Sequence, residues 1–118
     1  MGALVMVTTY LGPVGAPLYC STPDNPLVFS DSIGPFVAMP VEDYISGRVQ
    51  CSQWYRLTFA DGSILMARAL DAGPFSRYCV RQKDGSCPSI AVDVPGYYWP
   101  VGGISGWATI EAVRRYVH

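Results

Sequence analysis

Charge is scarce in this chain: only 14% of its 118 residues are Asp, Glu, Lys or Arg, where about a quarter would be ordinary for a soluble protein. The net charge is -1 and the pI about 5.6. There is thus no basic field to gather phosphates, which argues against a nucleic-acid partner. No apolar run approaches the roughly 18 residues that a membrane-spanning helix needs. The opening MGALVMVTTY has neither a basic leader region nor a small-residue cleavage pattern, so no signal peptide is expected within the chain. Histidine occurs once, at His118, and no C-x-x-C pair is present. Neither a metal nor a cofactor is therefore expected.

Half the residues are hydrophobic and 13% are aromatic. A surface poor in charge and rich in Tyr and Trp suits neutral partners, either sugars or neighbouring protein subunits. The length fits a single domain over residues 1–118 with one sizeable core.

Cys20, Cys51, Cys79 and Cys87 permit three pairings if all are bridged. Cys79 and Cys87 flank VRQKDGS, in which Asp84-Gly85 can turn the chain back and bring the sulfurs together; Cys20 with Cys51 then follows by elimination. Bridges imply an oxidising destination or a hot environment. A zinc site and four free buried thiols are the alternatives.

Short β-prone runs separated by Gly, Pro and Asp describe an all-β chain. Strands are expected at 3–10, 36–40 and 89–94, with a long Pro-rich loop over 11–34. The clearest unit is QWYRLTF-ADGS-ILMARALD, a hairpin turning at Asp61-Gly62. Its second strand is apolar on both faces, as a barrel strand covered from outside would be. Arg68 interrupts that pattern and requires a carboxylate or carbonyl partner. WATIEAVRRYV alternates as a strand does, with a helix over 109–117 as the alternative. The stretch ARALDAGPFSRYC (67–79) poses the functional question, because an apolar run closes there on Asp71. One account of that acid is local, a side chain capping the Ala72-Gly73 turn; for Asp93 it is a cap before Pro95.

The order of segments resembles the double-psi β-barrel of the rare lipoprotein A and expansin families. VTTYLGP (7–13) is similar to their opening Thr/Tyr-Gly strand, DAGPF (71–75) to the lipoprotein's D-R-G-P-F, IAVDVP (90–95) to its I-D-L-S segment, and GWATIEAV (106–113) to the closing strand. The resemblance implies a small six-stranded double-psi barrel with short helical turns and long disulfide-stapled loops. It implies that Asp71 stands at the end of a barrel strand beside a sugar-binding groove as general acid/base, with Asp93 as the second acid. Two carboxylates on a groove can divide acid and electrostatic roles when their environments separate their pKa values. Lytic members of this group carry a histidine in A-A-H-x-x-L-P, whereas this chain reads GPFVAMP with Phe36 or a neighbour at that place. Lytic transglycosylase action is thereby put in doubt, and an expansin-like action stays open.

Tyr10, Trp54, Tyr55, Tyr97, Tyr98 and Trp99 are candidates for stacking on sugar rings; core filling and subunit contact are the competing roles for such rings. The expectation is therefore a cell-wall glycan module, acting on peptidoglycan or polysaccharide outside the cell or in its envelope. The other expectation is a non-catalytic building block of a virion or surface assembly.

Overall fold

The computed structural model describes residues 3–10, 12–30, 32–73, 91–95 and 106–114. Its strands are β1 (Ala3–Tyr10), β2 (Phe36–Pro40), β3 (Trp54–Phe59), β4 (Ile64–Gly73), β5 (Ala91–Pro95) and β6 (Gly106–Val113); the helix α1 (Val41–Ile45) follows β2 directly. The strands close into a barrel in the order β1-β5-β2-β4-β3-β6. Two neighbouring pairs, β1 with β5 and β2 with β4, are parallel. This is the six-stranded double-psi arrangement expected from the resemblance.

The interior is filled by one face of each strand, as the two-residue side-chain period requires. Val5 and Val7 of β1, Val37 and Met39 of β2, and Val92 and Val94 of β5 point inward. Leu57, Ala67, Ala69 and Ile110 join them. Tyr55 also belongs to this core, which removes it from the candidates for sugar stacking. β3 shows the alternation plainly, with Tyr55, Leu57 and Phe59 buried between half-buried neighbours.

The expected hairpin forms around Asp61-Gly62. Gly62 adopts φ +87°, a conformation that costs glycine little, and its N–H donates to the Phe59 carbonyl at 2.9 Å. The Asp61 carboxylate accepts from the Ser63 N–H and hydroxyl, and these bonds hold its pKa below the usual value.

The Pro-rich segment is more ordered than a bare loop. It folds back on itself through the bridges Pro17↔Val28 and Thr22↔Asn25. Leu18 and Phe29 then pack on Phe36 and Leu70 from outside the barrel, with Tyr10, Leu27 and Ile33 at the margin. This second cluster is the cover that the two-faced apolarity of β4 requires, but it reaches only the later half of the strand: Ile64 remains 55% exposed. Arg68 finds its carbonyl partner at Ile33 (3.4 Å) and lies 5.7 Å over the Trp54 ring.

Cys20 and Cys51 are joined, with their Cα atoms 5.6 Å apart. The Cys79–Cys87 pairing, Tyr97, Tyr98 and Trp99 lie outside the described residues. Over residues 109–113 the terminal segment is strand, so the helical alternative fails there. Among the described residues no helix is long and apolar enough to cross a membrane.

Candidate functional site

Asp71 is not where its strand stops. Pairing between β2 and β4 continues past it, with Ala72 opposite Met39 and Gly73 opposite Pro40. The expected Ala72-Gly73 turn is therefore absent, and the carboxylate accepts its hydrogen bonds from distant groups instead. The Tyr10 hydroxyl donates to Oδ2 at 2.9 Å, and the Tyr19 N–H to Oδ1 at 3.0 Å. Among the described residues each carboxylate oxygen has one such partner, which leaves it a second lone pair.

The direction in which Asp71 points comes from a β-bulge. Ala67 and Ala69 face the barrel interior, so strict alternation would send Asp71 inward as well. The pairing shifts between Val37 and Ala38: Val37 faces Ala69, but Ala38 faces Asp71, which leaves Leu70 as the extra residue on β4. Leu70 and Asp71 consequently both lie on the outer surface, Leu70 under the covering loop and Asp71 beside it.

Asp93 reaches the same surface by ordinary alternation, since its neighbours Val92 and Val94 point inward. The registers then line up one row across four strands: Thr8 opposite Asp93, Asp93 opposite Ala38, and Ala38 opposite Asp71. Two interstrand spacings put the acid Cα atoms roughly 9–10 Å apart. Only the methyl group of Ala38 stands between them in the row. The Thr8 hydroxyl donates to Asp93 Oδ1, which gives the acid a partner on β1; the turn after Pro95 that a cap would serve lies outside the described residues.

Burial raises the pKa of Asp93, and the nearby Asp71 charge raises it further. Burial is likewise the first reason that Tyr10 and Tyr44 hold their protons beyond the usual tyrosine range, with Asp71 next in each case. Both phenols are therefore donors throughout the physiological pH range.

The sequence did not single out Tyr19, Tyr44 or Thr8. Tyr44, on α1, donates to the Asp71 backbone carbonyl at 2.7 Å, and its ring packs 4.8 Å from that of Tyr19, which is 47% exposed. Tyr19 and Asp71 are 52 positions apart, so no local pattern could have paired them. Tyr10 serves the site through its hydroxyl, because its ring is packed 5.5 Å from Phe29 and 6.4 Å from Phe36. Trp54 stands apart from the acids. It lines a separate 450 Å³ depression with Pro35, Ile64, Leu65 and Met66.

A closed barrel with two parallel pairs and this strand order has the double-psi β-barrel fold, which it shares with solved expansin structures. The solved structures to which it is similar include the expansin of Clavibacter michiganensis in apo form, with TM-score 0.61 and 19% identity over 100% of this chain and 53% of that one. A mutant of the same expansin in complex with cellohexaose gives TM-score 0.63 and 18% identity over the same shares. The chain thus spans about half the length of those expansins. No protein-family profile matches the sequence, and no curated protein does.

Proposed function

We propose that this barrel is a polysaccharide-binding module whose ligand lies against Asp71 and Asp93, the two acids of the outer row. The observation that carries the reading is the bulge, which brings Asp71 out of the core and onto the N–H of Tyr19, a residue 47% exposed whose ring packs on that of Tyr44. An aromatic face next to hydroxyl acceptors is the pairing of groups that a neutral sugar chain calls for. The likeness of fold to an expansin that has been solved with cellohexaose supports a β-glucan strand as ligand; a peptidoglycan strand and a place at a cell wall outside the cell belong to the same proposal. Asp71 acts as acceptor for sugar hydroxyls. Asp93, with its raised pKa, is the group suited to give a proton should a glycosidic bond be strained there.

The test is a titration of the protein with cellohexaose and with soluble peptidoglycan fragments, alongside mass spectrometry of products released from insoluble wall. Binding without release of anhydro sugars is expected. Asp71→Asn should weaken binding by roughly fivefold to thirtyfold, the worth of about 1–2 kcal/mol for one charged acceptor. Equal binding by parent and variant would remove Asp71 from the site. Release of anhydro sugars by the parent alone would make the protein a lytic enzyme working without the usual histidine.

A second reading, a subunit of an assembly, draws on the opposite side of the barrel. There Leu4, 48% exposed, shares a 260 Å³ depression with Trp107, Thr58 and Thr109. Native mass spectrometry showing a stable oligomer that Leu4→Lys dissolves would favour it.

A further inference from the structure

The pairing of β4 with β3 ends at Arg68 opposite Trp54, just before the bulge that aims Asp71 outward. Three successive residues there are held by two segments remote in sequence. The Ala69 carbonyl accepts from the Ser52 N–H at 2.8 Å, and the Ala69 N–H donates to the Gln53 carbonyl at 2.8 Å. The Leu70 carbonyl accepts from the Cys20 N–H at 2.9 Å. The Asp71 carboxylate accepts from the Tyr19 N–H at 3.0 Å. One clamp is thus Tyr19-Cys20 and the other Ser52-Gln53, and the disulfide from Cys20 to Cys51 ties the two together.

We propose that the Cys20–Cys51 disulfide positions Asp71: it locks both clamps onto residues 69–71, so that the bulge persists and the Tyr19 N–H stays on the carboxylate. The ligand-binding consequence rests on the reading of Asp71 as a sugar-binding group, whereas the positioning itself does not. Ser52 supports the geometry further, since it adopts φ +70°, a conformation rare for a residue with a side chain, directly beside the bridge. Cys20 is buried and Cys51 exposed, so a thiol reductant meets the bond from the Cys51 side. Binding at this surface should accordingly follow the redox state of the bridge.

The experiment compares the oxidised parent with the double variant Cys20→Ala/Cys51→Ala by NMR, with cellohexaose as the probe. The β3 and β6 amides should keep their shifts, showing an intact barrel. The Tyr19 amide should lose at least tenfold in exchange protection, and cellohexaose affinity should fall at least fivefold. A Tyr19 amide as protected as in the parent, together with affinity within twofold, overturns the proposal.

If the parent itself does not bind cellohexaose, the sugar-binding reading fails, and the Tyr19 amide alone decides whether the bridge positions the acid. If the double variant does not fold, Tyr19→Pro is compared with Tyr19→Ala in the disulfide-bonded protein, because only proline removes the N–H. Fivefold weaker binding by the proline variant upholds the clamp, and equal binding by the two refutes it.

Discussion

Asp93 is a carboxylate placed where its charge is unwelcome, half-buried and close to a second acid. Its pKa lies above the ordinary 3.8 in the folded chain, so between that value and the folded one the native state binds more protons than the unfolded state. Stability contributed through this group is therefore present at low pH and lost as pH rises through the folded pKa. Asp93→Asn keeps an oxygen for the Thr8 hydroxyl and removes the charge. The variant should melt above the parent at pH 7 and level with it near pH 3, as scanning calorimetry would show. The coupling to Asp71 makes a further expectation. In Asp71→Asn the ¹³C-detected titration of the Asp93 carboxyl should move down toward the usual aspartate range, because one of the two causes of its rise has gone. An unmoved Asp93 would mean that burial alone sets its pKa and that the acids do not sense each other.

At the scale of elements, the site depends on one extra residue in β4. Leu70 is fully buried, between the barrel wall and the loop that carries Leu18 and Phe29. Leu70→Ala should cost about 2–5 kcal/mol in denaturant unfolding, the range for a buried leucine that leaves a cavity. Because Leu70 anchors the same loop as Tyr19, the loss should appear in Tyr19 amide protection before the β3–β6 amides change. The sequence made much of this architecture legible. Alternation in WYRLTF marked a strand with one buried face, Asp61-Gly62 marked the hairpin, and Arg68 announced its need for a carboxylate or carbonyl, which the Ile33 carbonyl meets. The bulge was not legible, because an inserted residue changes neither composition nor period over so short a strand. α1 was equally hidden: it has five residues and no side-chain N-cap, so neither helical period nor start signal stands out. Asp71 and Asp93 could be named from their motifs. Their partners Tyr19, Tyr44 and Thr8 could not, since barrel closure and loop docking bring them there.

For the whole molecule, the strand order decides which links matter. β1 sits between β5 and β6, the last two strands in sequence, so the barrel closes only when both ends of the described chain have met. Contacts of such long range carry a large loop-closure cost. A covalent link that lowers the entropy of the unfolded chain counts for more here than a surface ion pair. The Cys20–Cys51 bridge spans 31 positions, for which the chain-entropy account gives about 3–4 kcal/mol. Arg56 and Glu111 face each other across β3 and β6 and form an ion pair, but their side chains are 43% and 32% exposed. Solvent screening limits such a pair to about 0–1 kcal/mol. Cys20→Ala/Cys51→Ala should therefore lower the Tm by about 10–20 °C, and Glu111→Ala by no more than about 5 °C. The ordering is the informative part: a larger loss from Glu111→Ala than from the cysteine variant would mean that the barrel is held by its β3–β6 seam, and that the bridge contributes little beyond the local geometry around Asp71.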